Sequence, residues 1–356
     1  MLKSFTPLSI KHMTVKNRIM RSATMENMAD EDGFVTDQII KLYSDLAAGG
    51  TGLIITGACA VEKNGQVWNR QMAAWDDQYI NGLERIATAI HRSGKDCKCA
   101  VQLHHGGLAG FGYSYGGKNS GFSLSDLTTA EIKSIIKTFG DGALRIKKAG
   151  FDAVAVHGAH GYLISQFMSP VTNNRTDHWG GTLSNRLRFA IEVCYAIKEK
   201  IGAPMPLLWK INCDDYIEGG QGIDEYLQAA FVIAESGVDL IEVSGGVKDQ
   251  IRLRAKLKQQ AGPGEAYFRF AVKPFKQAIG AKALAVTGGI RSLPIMEELL
   301  NDGLDLLGIC RPLICEPDLP DKFQAVSKQV TARCISCNKC LLGIANEPVK
   351  CVEFCK

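Results

Sequence analysis

One signature recurs four times in this chain and constrains its fold more than any other feature. A helical pattern ends at glycine, a short apolar run follows, and small or polar residues come next. It reads Gly50-Thr-Gly-Leu-Ile-Ile-Thr56, Gly150-Phe-Asp-Ala-Val-Ala-Val-His157, Gly237-Val-Asp-Leu-Ile-Glu-Val-Ser244 and Gly303-Leu-Asp-Leu-Leu-Gly-Ile-Cys310. Glycine ends helices in the left-handed conformation, so a strand is expected just beyond each one. Short runs of nearly continuous hydrophobics are the pattern of parallel strands buried on both faces. Further strands are expected at residues 18–22, 98–103, 207–212 and 284–287, which makes eight. Helical patterns fall between them at residues 37–48, 78–92, 128–149, 184–200, 224–235, 268–279, 293–301 and 317–328. Thr128 and Glu131 open the third of these as a capping box, hydroxyl and carboxylate each satisfying a free amide. Strict alternation places the chain in the α/β class, as a (β/α)8 TIM barrel or a doubly wound sheet.

At 356 residues the chain is long enough for one barrel with insertions and a tail. The expected division is a barrel over residues 1–330 and a cysteine-rich C-terminal extension, residues 331–356, packed on it. Forty-one basic and 37 acidic residues are evenly spread and leave a net charge of +4, which argues against a nucleic-acid or membrane-surface partner and for a small molecule. A homo-oligomer is compatible with this sequence. The start, Met-Leu-Lys-Ser-Phe-Thr-Pro, lacks the basic segment and apolar core of a secretory signal, and the least polar stretch, residues 46–61, is shorter than the ~20 residues of a membrane span. A cytoplasmic protein is expected. In that setting the twelve cysteines, five of them between Cys334 and Cys355, read as reduced thiols or a metal centre.

The second occurrence of the signature carries the chemistry. Its strand ends in His157-Gly-Ala-His160-Gly-Tyr162, and the carboxyl end of a strand is where barrels and open α/β sheets bind ligands. His157, His160 and Tyr162 are therefore expected to converge on one pocket. Metal ligation by the His-x-x-His pair is the weaker alternative, since zinc needs at least a third protein ligand and none follows nearby. Two long loops after strand ends, residues 106–127 and 244–265, are expected to wall that pocket.

The run from His157 to Leu163, followed by Gln166-Phe-Met-Ser-Pro170, Asn174-Arg175-Thr-Asp177, Gly180-Gly181 and Asn185-Arg186-Leu-Arg188-Phe189, resembles the Old Yellow Enzyme family of flavin oxidoreductases. The resemblance implies FMN in a (β/α)8 barrel, with NAD(P)H as reductant and an enone or enoate as substrate. In that reading the two histidines hold the substrate carbonyl and Tyr162 delivers a proton. It also implies flavin contacts at Ser22, Ala23, Thr24, Ala58, Gln102 and Lys210. Glycines at Gly288 and Gly289 after the seventh strand, with Cys310 and Arg311 after the eighth, suit a phosphate, because barrels often bind one there through backbone amides and an arginine. Relatives place the FMN phosphate at matching positions. Some positions depart from the family pattern. Met25 stands where a threonine or cysteine is usual, Leu108 where an arginine is, Trp179 for a tyrosine, and Lys210 where arginine is frequent. Arg175 and Asp177 are read as an ion pair bracing the loop.

Near the C-terminus, Cys334-Ile-Ser-Cys337-Asn-Lys-Cys340 with Cys351 beyond is similar to the 4Fe-4S motif of trimethylamine dehydrogenase and 2,4-dienoyl-CoA reductase, larger members of the family. Cys355 competes with Cys351 for the fourth position, and a zinc site or plain thiols compete with the cluster. Three classes of function follow: an FMN ene-reductase, an iron–sulfur flavoprotein serving a separate electron carrier, and a non-catalytic flavin-binding redox sensor.

Overall fold

A computed structural model describes residues 2–110, 114–115, 118–119, 123–247, 253, 256–258, 264–325, 330–342 and 347–354. Eight parallel strands close a barrel: β1 (Ile19–Arg21), β2 (Leu53–Ala60), β3 (Lys98–His104), β4 (Ala153–Gly158), β5 (Leu207–Asn212), β6 (Leu240–Ser244), β7 (Ala283–Thr287) and β8 (Leu306–Ile309). Each pairs with the next, and β8 returns to β1, so the alternation resolves to a TIM barrel and not to a doubly wound sheet. Helices Asp37–Ala48, Ile80–Ser93, Thr129–Lys148, Leu183–Ile201, Ile223–Glu235, Val272–Ile279, Leu293–Asn301 and Leu319–Gln324 surround it. The last is shorter than its pattern, and residues 326–329 lie outside the described residues. The capping box on Thr128 and Glu131 is present.

Side chains alternate along each strand, and this alternation builds the site. Ala153 and Ala155 of β4 face the barrel interior with Met20, Ala100, Leu208, Leu240, Ala285 and Leu306. Their neighbours Val154 and Val156 pack outward under the helices. Two residues further along their strands the inward positions turn polar: Ser22, Gln102, His157, Lys210, Glu242 and Thr287. A period of two thus stacks an apolar layer beneath a ring of functional groups. In β2 the register slips between Ile55 and Ala58, so that Ala58 stands beside Gln102.

The other end of the barrel is plugged. An antiparallel hairpin of Leu8–Ile10 and Met13–Val15 precedes β1 and buries Ile10, Met13 and Val15 in the interior cluster. Three aspartates of the repeated signature staple adjacent strands at their starts. Asp152, Asp239 and Asp305 each accept a 2.9 Å hydrogen bond from the backbone amide of the preceding strand, at Cys99, Leu207 and Leu284. Each also pairs with a lysine: Lys98 at 3.2 Å, Lys11 at 3.0 Å and Lys276 at 2.7 Å. His91, which bonds Asp152 at 2.8 Å, belongs to the same staple.

Candidate functional site

A cavity of about 300 Å³ opens at the carboxyl ends of the strands. Its wall includes Ala23, Thr24, Ala58, Gln102, His157, His160, Tyr162, Lys210, Gly288, Gly289, Cys310 and Arg311, so the sequence-derived residues meet in one place. Ser22 is the exception. It is fully buried beneath the wall, where its hydroxyl accepts from Lys210 Nζ at 2.8 Å and donates to Glu242.

Lys210 is only 4% exposed and ion-pairs with Glu242, itself 2% exposed, at 3.2 Å. Thr287 adds a 2.5 Å hydrogen bond to the same Glu242 oxygen. Glu242 was not singled out as a site residue from the sequence, although strand alternation from Leu240 would have pointed it inward. A buried ammonium is tolerable because that carboxylate and hydroxyl surround it.

On the histidine side, Nδ1 of His157 accepts from the amide of Ala159 at 3.3 Å, which puts the ring proton on Nε2. Burial first, then His160, His104 and Lys210, hold His157 well below the usual histidine range. At neutral pH it is an uncharged donor. His160 stands perpendicular to it, 5.0 Å between ring centroids, and shares a 2.9 Å hydrogen bond with Ser244. A positive φ of 64° at His160 turns the chain so that both histidines and Tyr162 come together. The Tyr162 ring lies 5.1 Å from His157, 4.5 Å from His104 and 6.0 Å from Trp68. His104 is fully buried, accepts at its Nδ1 a 3.1 Å hydrogen bond from Gln71 Nε2, and is pushed down to about 3 by burial and by neighbouring His105.

At Gly288 and Gly289 the absence of side chains is needed for packing. A Cβ on Gly289 would meet the Tyr267 ring at 2.5 Å, and one on Gly288 would meet Phe268 at 2.7 Å. Arg311 donates to the Tyr267 hydroxyl at 3.2 Å and to Asn338 at 2.6 Å. Cys310 lies within the charge of Lys210 and Arg21. Burial alone would raise its thiol, but these two cations and hydrogen bonds to Thr24 and Ser22 bring it below the ordinary cysteine value.

Loop roles differ from expectation in one respect. Ser244, Gly245 and Leu257 of the second long loop wall the cavity, but among the described residues the first, 106–127, contributes nothing to it. The backbone of that loop instead holds Arg175, which donates to the carbonyls of Leu124 and Leu127 at 2.6 and 2.7 Å while pairing with Asp177 at 2.6 Å. Trp68, Tyr267 and Phe268, which line the cavity, gave no signal in the sequence because each reaches it from a connecting segment.

The residues present fit a flavin on an observation of their own. Gln102 is 3% exposed, and its Nε2 is buried without a hydrogen-bond partner on the wall of this cavity. An amide left so is costly unless a ligand completes it, and a pyrimidine edge offers matching acceptors.

A second, smaller cavity of about 20 Å³ is lined by Cys334, Cys337, Cys340 and Cys351 together with Arg311. Cys355 lies outside the described residues. Thr331 bridges Ser292, Ala332 N–H donates to the carbonyl of Arg291 at 2.8 Å, and Val349 N–H donates to that of Glu26 at 2.8 Å. Among the described residues every cysteine is a free thiol, and no helix is long and apolar enough to cross a membrane.

Comparison with known proteins agrees with this geometry. The sequence profile of the NADH:flavin oxidoreductase / NADH oxidase family matches residues 3–329. An NADH oxidase of Thermoanaerobacter brockii is 33% identical over 95% of this chain and 53% of its own. An NADPH dehydrogenase of Bacillus cytotoxicus is 35% identical over 89% of this chain and 90% of its own. The solved complex of 2-naphthoyl-CoA reductase with 2-naphthoyl-CoA superposes with a TM-score of 0.88 at 26% identity, covering 98% of this chain and 56% of that one. The chain thus spans about half the length of the first and third of these proteins. With the barrel, the polar ring and a profile match over nearly its whole length, the chain belongs to the NADH:flavin oxidoreductase / NADH oxidase family, the Old Yellow Enzyme family.

Proposed function

We propose that the protein is an NAD(P)H-dependent FMN oxidoreductase acting on an α,β-unsaturated carbonyl compound. The observation that carries this reading is the grouping of an uncharged His157 donor, His160 and Tyr162 on the wall of the cavity that also holds the unpartnered Gln102 amide. Bound FMN would supply the hydride, drawn from NAD(P)H, for the β-carbon of the substrate. Gln102 and Lys210 would hold its pyrimidine edge, with Ala23, Thr24, Ala58 and Cys310 against it and Gly288, Gly289 and Arg311 at its phosphate. His157 and His160 bind the substrate carbonyl oxygen and stabilise the negative charge that develops there, an oxyanion-hole role. Tyr162 gives its phenolic proton to the α-carbon as a positioned general acid.

The test is Tyr162→Phe followed by stopped-flow flavin absorbance. Reduction by nicotinamide should stay within about twofold, while re-oxidation by an enone should slow ~10²-fold or more, the usual worth of a positioned acid. Equal slowing of both half-reactions would make Tyr162 a structural residue.

A second reading is favoured by the small cavity. Four cysteines line it, three of them at C-x-x-C-x-x-C spacing with the fourth further along, an arrangement like a 4Fe-4S ligand set. On this reading residues 331–356 are an extension packed on the 1–330 barrel, and the protein exchanges electrons with a separate carrier.

A further inference from the structure

The loop bearing the first three cysteines also belongs to the wall of the large cavity. Ser336 and Leu341 line that cavity, and Arg311 lines both it and the small one. Asn338 joins the two. Its side-chain oxygen accepts from Arg311 Nη1 at 2.6 Å, and both residues are more than nine-tenths buried. The backbone of Asn338 has φ 66° and that of nearby Ser336 has φ 57°. Asparagine is among the few L-residues that enter this left-handed region readily, so its type suits both the turn and the acceptor.

We propose that Asn338 positions the Arg311 guanidinium for the FMN phosphate, so that flavin retention depends on the cysteine loop. The inference rests on the FMN reading above but does not require a cluster. A long arginine side chain must be ordered before it can grip an anion, and a neighbour that orders it in advance moves this entropic cost from binding to folding. Asn338 and Tyr267 take one N–H from each terminal nitrogen. The remaining N–H groups of the five on a guanidinium have no acceptor among the described residues, which suits a phosphate. Because asparagine is neutral, it holds the cation without cancelling its charge. The purely structural alternative is that Asn338 only ties the tail to the barrel.

Two variants separate these cases in the full chain, purified anaerobically, with FMN and riboflavin dissociation constants read from quenching of flavin fluorescence. Asn338→Gly keeps a backbone tolerant of positive φ and removes the acceptor. It should weaken FMN about tenfold, the loss expected for a hydrogen bond to a charged group. Riboflavin, which has no phosphate, should bind as to the wild type. Asn338→Asp keeps an acceptor but sets a negative charge beside the phosphate, and should also weaken FMN selectively. Adding Asn338→Gly to Arg311→Ala should cost nothing further. FMN affinity within twofold of wild type in Asn338→Gly, or equal losses for FMN and riboflavin, would overturn the proposal. A wild-type chain that binds no FMN would instead overturn the cofactor reading itself, and this inference with it.

Discussion

Burial shifts two side chains beside the cavity in opposite directions. Glu26, next in sequence to the cavity residue Met25, is 1% exposed and is raised to about 7, mainly by burial and against a 2.7 Å hydrogen bond from Gly57. His104 is lowered to about 3 by burial and by His105. A group with a raised folded-state pKa contributes stability that is complete below its unfolded pKa and lost as pH rises through the folded value. Glu26 therefore costs stability between its ordinary value of 4.5 and about 7, at up to ~1.4 kcal/mol per pH unit. His104 has the reverse sign, since stability from its depressed value is lost as pH falls from 6.5 toward about 3. Glu26→Gln keeps the acceptor for Gly57 and removes only the first effect. The melting temperature of this variant relative to wild type should climb from pH 4.5 to 7 and then level off. A difference constant across that window would show that Glu26 is ionised in the native protein throughout.

At the scale of elements, the hairpin before β1 and the aspartate staples fix the closed end of the barrel, while the polar ring occupies the open end. This division lets one sheet serve both stability and chemistry, because apolar interior residues such as Ala155 and Leu208 separate the two. Met13 is 4% exposed and packs into the interior cluster, so Met13→Ala should cost about 2–5 kcal/mol in urea unfolding, the range for truncating a buried side chain. Flavin affinity should be unchanged, since Met13 belongs to the hairpin at the far end of the strands from the cavity wall. A large loss of flavin with little loss of stability would mean that the hairpin shapes the site directly.

At the scale of the whole molecule, Arg311 lines both cavities, which places residues of the C-terminal segment beside the barrel's site. If the cysteines hold a cluster, protein prepared without oxygen should contain roughly four iron and four sulfide per chain, with absorbance extending beyond the flavin bands. Cys337→Ala should remove both the iron and that absorbance while the flavin bands remain. Iron-free protein with full enone reduction would leave an FMN ene-reductase whose four cysteines serve another purpose.

Local pattern carried much of this far. The glycine-strand repeat marks four of the eight strands because a left-handed helix end and a doubly buried strand are properties of adjacent residues, and alternation along β4 turns His157 inward by counting from Ala155. The sequence by itself determined the alternation of eight strands with helices, the resemblance to the family and the grouping of His157, His160 and Tyr162 at one strand end. Tertiary structure alone decided which ring members pair. Ser22 and Glu242 meet across 220 residues of sequence, Asn338 reaches Arg311 through the tail, and the 106–127 loop turns aside to hold Arg175. The physical reason is closure: bending eight strands into a ring sets which side chains face one another across the interior, and no period within a strand records that distance.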